Sequence, residues 1–452
     1  MNEKHPDSPA PTPESESTPQ KPVSLDLTIE KMVTGGAGLG RIDGQAVFVP
    51  LTAPGDEIRA EIVEQRRGFV RARLTEIIKP GPGRQDAPCI HYGECGGCDL
   101  QHLDEATQRK AKSDIVVDCF QRLGKMDVSE LITGPDNKVL LGYRNRIRLI
   151  GNASGFYGMM KRGTHDVVPL TECLLMPPQF NEDIVPWLRF LPPVEQVVIR
   201  MDGSGSWLVS VFGPPPRMKV MKKILSGLAD DGAPAPGCVG VLYNNLPLWG
   251  RDHLVYEVAG NKYKVSAQSF FQGNLSATED AVATVRQWIG EIEAEGRLGR
   301  MLGDLYCGVG LFSLALADLF ERVVAIDTDK SSCRDAKNNI RHSGNKEKIT
   351  LREGPVTRII TDRELAPQEA WESSLCIVDP PRAGLGKGGV KGLINLNPRQ
   401  IVYMSCDPAT LARDVAAFAE AGYEMRKLKV MDFFPQTAHI ESLALLVRPQ
   451  KS

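Results

Sequence analysis

Apolar residues follow three successive patterns along this chain. From Leu25 to about Lys79 they alternate with polar ones in short runs, Ala46-Val47-Phe48-Val49, Glu57-Ile58-Arg59-Ala60-Glu61-Ile62-Val63 and Phe69-Val70-Arg71-Ala72-Arg73-Leu74, which predict strands with one buried face. Gly35-Gly36-Ala37-Gly38 and Pro54-Gly55-Asp56 punctuate the runs, so this segment is expected to close into a small barrel. A helical spacing follows from about Leu103 to Leu123, and a second β-rich region reaches about Lys264. From about Val265 onward helical segments alternate with short apolar runs, as in a doubly wound α/β domain with a parallel sheet. Residues 1–22 hold six prolines among Ser, Thr, Glu and Lys, which predicts a disordered tail. The expected organisation is a tail over 1–22, an OB-like barrel over 23–80, a β-rich central domain over 81–262 with its helix at 103–123 free to pack on the last domain, and an α/β domain over 263–452.

Ligands of open parallel sheets bind outside the carboxyl ends of the strands, so the polar residues that end the apolar runs carry the chemistry. Asp304 follows Met301-Leu302-Gly303, Asp327 follows Val323-Val324-Ala325-Ile326, Asp379 follows Cys376-Ile377-Val378, and Cys406 ends Ile401-Val402-Tyr403-Met404-Ser405. These four positions are expected to share one sheet edge. Asp304-Leu305-Tyr306-Cys307-Gly308-Val309-Gly310 reads as a strand, a tight glycine turn and a helix, with Asp327 placed 23 positions on, where an acid on the second strand meets ribose hydroxyls. An acidic first residue with only two glycines suits a cofactor bearing an amino group and a sulfonium, S-adenosylmethionine, better than a dinucleotide pyrophosphate. Cys307 inside the turn reads as structural.

After Cys406 come Asp407, an N-cap residue, and Pro408, suited to the first helical turn. The positive end of that helix is expected to favour the thiolate, which makes Cys406 a candidate nucleophile; the bland alternative is a buried, inert thiol. Asp379-Pro380-Pro381-Arg382 holds a carboxylate in a stiffened turn, with Arg382 where amino-directed methyltransferases usually carry an aromatic residue. Phe434-Pro435-Gln436-Thr437-Ala438-His439-Ile440 leads to Glu441 at the entrance of the last apolar strand, a candidate base.

Length and charge narrow the setting. At 452 residues several domains are expected, and a formal charge of -2 means that any polyanion-binding surface must be local. Two local clusters qualify: Arg59, Arg66, Arg67, Arg71 and Arg73 on the barrel, and Arg144, Arg146 and Arg148, which share one face if Tyr143 to Ile150 is a strand. Both suit an RNA backbone, with Tyr143 offering stacking area, unless they are merely solvated faces. The chain shows no apolar leader and no run of spanning length, so a cytoplasmic protein without membrane contact is expected. In that compartment Cys89, Cys95 and Cys98 in a glycine-rich loop, with Cys173 as the candidate fourth ligand, suit zinc or an iron–sulfur cluster rather than disulfides.

The motifs DLYCGVG, DPPRAGL, SCDPATLARD and HIES, in that order, closely resemble those of the RNA 5-methyluridine methyltransferases, with the likeness running over roughly residues 24–450. The resemblance implies a Rossmann-like methyltransferase domain preceded by a TRAM barrel and a β-rich central domain. It implies Cys406 as nucleophile, Glu441 as general base and Asp379 beside the target base. Gln272, Asp304, Tyr306, Gly308, Gly310, Leu311, Asp327 and Asp379 would bind S-adenosylmethionine, and Cys89, Cys95, Cys98 and Cys173 a [4Fe-4S] cluster in preference to zinc. Barrel and cluster together point to a uridine of 23S ribosomal RNA, with a transfer-RNA T-loop methylase as the nearest rival and a non-catalytic ribosome-assembly factor as another; no protein partner is implied. Leu311, Asp327 and Gly354-Pro355 depart from the residues common in the family, which leaves the adenosine contacts open.

Overall fold

The computed structural model describes residues 23–136, 139–152, 154–214, 236–360 and 366–449; the tail expected over 1–22 lies outside them. Strands β1 (Ser24–Met32), β2 (Ala37–Ile42), β3 (Gln45–Pro50), β4 (Glu57–Gln65) and β5 (Phe69–Lys79) close into a barrel in the order β1-β2-β3-β5-β4. The alternating apolar positions point inward, with Ile29, Val47, Val49, Ile58, Ala60, Val70 and Ala72 forming the core.

Helix α1 (Glu105–Cys119) follows, capped by Asp104, whose carboxylate accepts from Thr107 N at 2.7 Å. After β6 (Ile132–Thr133) come β7 (Arg146–Gly151), β8 (Tyr157–Met160), β9 (Val167–Pro169), β10 (Gln196–Met201), β11 (Trp207–Phe212), β12 (Cys238–Tyr243) and β13 (Leu246–Gly250). Among the described residues, β7 to β13 form a sheet in the order β13-β12-β11-β10-β7-β8-β9, and β14 (His253–Val258) and β15 (Asn261–Ser266) form a hairpin.

The last part alternates α2 (Leu275–Ala294), β16 (Met301–Leu305), α3 (Leu311–Ala315), β17 (Arg322–Asp327), α4 (Lys330–His342), β18 (Ile349–Glu353), β19 (Leu375–Val378), α5 (Gly386–Leu396), β20 (Gln400–Ser405), α6 (Pro408–Glu420), β21 (Glu424–Met431) and β22 (Glu441–Val447). Its sheet runs β18-β17-β16-β19-β20-β22-β21-β6; β16 to β20 are parallel, and β22 is antiparallel to both of its neighbours.

Successive strand residues feed two cores. Met301, Val324, Ile326, Cys376, Val378, Ile401 and Tyr403 pack on one face with α1, α5 and α6, whereas Leu302, Val323, Ala325, Leu375, Ile377, Val402 and Met404 pack on the other with α2 and α3. Burial on both faces is why these strands read as continuous apolar runs rather than alternations. Helix α1, far upstream in sequence, thus belongs to the packing of this sheet, and β6 extends it by pairing with β21.

Candidate active site

Chain segments far apart in sequence converge on one cleft of about 850 Å³ at the carboxyl edge of the large sheet. Its walls include Gln272, Tyr306, Gly308, Leu311, Asp327, Asp379, Cys406 and Glu441. Because β22 runs antiparallel to β20 with Ser405 opposite Ser442, continuing the register by one step sets Cys406 beside Glu441. Nucleophile and base candidates are therefore neighbours across two strands, although 35 positions separate them in the chain.

The glycine turn is built for close approach. Tyr306, Gly308 and Gly310 have φ of 66°, 55° and 91°, and nothing stands within 4 Å of where a Gly308 side chain would begin. Asp327 braces the turn by accepting from Gly308 N and Asp329 N, both at 2.8 Å, with lone pairs left for ribose hydroxyls. Two expected cofactor residues do not reach the cleft. Asp304 is buried at 2% exposure and accepts from the backbone and hydroxyl of Ser313, so it fixes the start of α3 from behind. Burial pushes its pKa up to about 6, against the pull of Ser313. Gly310 caps α3 with its α-carbon turned toward Leu314 and Ala336.

The electrostatics correct one expectation. Cys406 is not held as a thiolate: burial pushes its pKa up to about 11, Glu441 and Asp379 add to the rise, and Arg382 opposes it. Asp407 takes one amide of the following helix's first turn, Thr410 N, at 2.8 Å. Burial raises Asp379 to about 7, helped by Asp304 and Asp327, and lifts Glu441 well above the usual carboxylate range, helped by Asp379. Arg382 Nη2 lies 2.9 Å from His439 Nδ1; since arginine only donates, His439 accepts there as a neutral ring. Stacking area in the cleft comes from Phe270, 60% exposed, and not from Tyr143, which is buried with its hydroxyl donating to Pro435 O at 2.9 Å.

Residues 251–449 match the family model of the tRNA (uracil-5-)-methyltransferases. An uncharacterized RNA methyltransferase of Aquifex aeolicus is 32% identical over 93% of this chain and 98% of its own length. The chain belongs to the RNA uracil-5-methyltransferase family. The enzyme is also 30% identical to an RNA methyltransferase of Streptomyces avermitilis, over 93% of this chain and 97% of that one. Its fold matches the tRNA (uracil-54, C5)-methyltransferase of Pyrococcus abyssi, solved with S-adenosyl-L-homocysteine, at a TM-score of 0.71 and 23% identity, over 93% of this chain and 99% of that one. It is thus an S-adenosylmethionine-dependent RNA methyltransferase with a methyltransferase fold and a closed five-stranded barrel.

A second, smaller cavity of about 30 Å³ is lined by Cys89, Cys95, Cys98 and Cys173, all free thiols, and shares Gly97, Arg144 and Met159 with the cleft. Among the described residues no three His, Cys, Asp or Glu side chains converge closely enough to hold one metal ion. The cysteine loop also grips the segment leading to Glu441. Asp99 pairs with Arg162 at 2.7 Å and accepts from Ala438 N at 3.0 Å, while Asp99 N and Leu100 N donate to Gln436 O. Helix α1 adds Gln108, bonded to Gln436 both ways, and buried Lys112, which donates to Asp432 at 2.7 Å and to Phe434 O at 3.0 Å. Sequence reasoning missed this clamp. A signal existed, because Gln108 and Lys112 share the helical phase of apolar Ala111, Ile115, Val116 and Cys119 on the buried face of α1.

The two basic clusters differ from each other. On the barrel, Arg59 pairs with Asp26 and Glu76, Arg66 and Arg71 with Glu64, and Arg73 with Glu61, so most of that charge is neutralised within the barrel. Arg146 and Arg148 do project from one face of β7, with Arg144 just before the strand. No helix of the described residues is long and apolar enough to cross a membrane.

Proposed function

We propose that the enzyme methylates C5 of one uridine in cytoplasmic 23S ribosomal RNA through a covalent bond between Cys406 and C6 of the base. The observation that carries this reading is the placement of Cys406 next to Glu441 in a cleft shared with Asp379 and the glycine turn. Uracil C5 becomes nucleophilic only when a thiolate adds at C6 and generates an enolate. Cys406 first gives up its proton to solvent, and Arg382 eases that loss. The sulfur then bonds to C6, and the displaced π electrons pass to the enolate oxygen. S-adenosylmethionine, when bound, supplies the electrophilic methyl group, and the open Gly308 turn with Asp327 fits its amino-acid and ribose parts. Glu441, which burial favours as the neutral acid, gives up its proton to solvent and then as carboxylate takes the C5 proton, the C5=C6 bond re-forms, and the sulfur leaves with its electrons. Asp379, raised to about 7, is able to donate from its protonated form to the base or to accept from it when ionised.

Cys89, Cys95, Cys98 and Cys173 would hold a [4Fe-4S] cluster. Four thiols line one cavity, and a cluster in which each iron takes one thiolate matches that count. The barrel is read as a TRAM domain and the 81–262 segment as a distinct central domain, with α1 docked on the catalytic sheet.

A transfer-RNA substrate is the second reading, because the matched P. abyssi enzyme, with an architecture that covers nearly all of this chain, is named for a transfer-RNA uridine. Incubation of 23S ribosomal and transfer-RNA transcripts with methyl-labelled cofactor decides between them. With 5-fluorouridine in the methylated RNA, a protein–RNA complex stable to denaturation is expected, since fluorine cannot leave as a proton. Absence of that complex would remove the covalent mechanism.

A further inference from the structure

A groove of about 690 Å³ runs between α4 and the edge strand β18, on the far side of the cofactor turn from Cys406. Arg334, Lys337 and Arg341 line it from α4 and Lys346 from the loop that follows, against one acid, Glu353. All four cations are exposed, and among the described residues none stands in an ion pair, in contrast to the barrel arginines. The groove starts next to the cleft: the cap and first turn of α4 line the cleft through Asp329 and Ser332, the next residue, Cys333, lines the groove, and Glu353 at the end of β18 is the register partner of Asp327. A helix of 13 residues spans about 20 Å, which is the reach of this surface beyond the site.

S-adenosylmethionine carries no phosphate, so unneutralised cations here answer to another ligand. Charges on an edge strand would serve to block pairing with other strands, but these four cations stand on α4 and the loop after it, not on β18. We propose that the groove holds the sugar–phosphate backbone of the RNA substrate beyond the target nucleotide. The inference rests on RNA as substrate and adds a binding surface on the cofactor side of the sheet.

The test uses the full-length enzyme with Lys337→Gln, Arg341→Gln and Lys346→Gln combined, and a second variant with Lys337→Arg and Arg341→Lys that keeps the charge. Binding to 23S ribosomal and transfer-RNA transcripts is measured across salt concentrations, together with S-adenosylhomocysteine affinity and the methylation rate at saturating RNA. Loss of three phosphate contacts should flatten the slope of log affinity against log salt by about 2 and weaken binding at low salt about tenfold or more. The charge-keeping variant should bind as the parent does, and cofactor affinity and saturated rate should not change. Unchanged affinity and slope in the neutral variant would overturn the proposal, as would lost cofactor affinity with an unchanged salt slope. Methyl transfer by the unsubstituted enzyme to the same transcripts, run in parallel, reads the substrate assignment separately.

Discussion

The cleft and the cysteine cavity share a wall of Gly97, Arg144 and Met159 yet are built in opposite ways. Cleft residues sit at the ends of buried strands, where backbone pairing fixes them; cavity residues sit on loops, held by side chains that reach across the chain. The difference teaches that the rigid part of the site is local and the adjustable part is remote. Glu441 belongs to both, since its strand pairs with β20 while the loop before it hangs from Asp99, Leu100, Gln108 and Lys112.

Removing the sulfur at the strand end should give the largest effect. Cys406→Ala is expected to lower methyl incorporation by roughly four orders of magnitude or more, as loss of a covalent nucleophile does, while RNA and cofactor affinities stay within about threefold of the parent. Substantial turnover by this variant would mean that the cleft works without an adduct. Lys112→Met attacks the remote half by leaving Asp432 without its main buried cation. Such a change costs about 3 to 5 kcal/mol, read as a lower midpoint of thermal unfolding, and Lys112→Met with Asp432→Leu should recover most of it. If the single variant melted like the parent, the clamp would not be holding the loop.

Asp99→Ala asks whether the two sites are joined. It removes the Arg162 partner near the cysteines and the acceptor for Ala438 N near Glu441, so kcat should fall roughly tenfold and, with the proposed cluster in the cavity, iron retention should fall with it. A drop in iron content with kcat unchanged would separate the sites and confine Asp99 to the cavity.

How much of this was readable in advance follows the same division. The barrel runs at Ala46–Val49 and Phe69–Leu74 fall within observed strands, and Asp407 and Pro408 open a helix where their residue types predict it, because these features depend on period and capping alone. Three of the four polar ends, Asp327, Asp379 and Cys406, gather at one edge because parallel strands must, whereas Asp304 lies within β16 and stays buried. The Cys406–Glu441 adjacency was not legible, since it depends on the last strand entering antiparallel beside β20. Nor was the neutralised barrel, since a sequence lists arginines without saying which strand brings a glutamate opposite. Tyr143 illustrates the same limit: its place beside an arginine stripe suggested an open ring, but the loop at Pro435 covers it.

The smallest effect should come from Arg382→Gln. In the free enzyme Cys406 is a thiol, pushed up to about 11 by burial, by Glu441 and by Asp379, with Arg382 pulling the other way. Removing that charge raises the thiol further, so at any pH below about 11 the thiolate fraction falls and alkylation of Cys406 by iodoacetamide slows. Arg382 is exposed and its field is screened, which keeps the change under about tenfold. In the parent, the alkylation rate should climb from pH 7 to pH 10 without levelling, and in the variant the whole curve should move to higher pH with the same shape. A plateau near pH 7 in the parent would show a thiolate already formed before RNA arrives, as the positive end of the following helix favours.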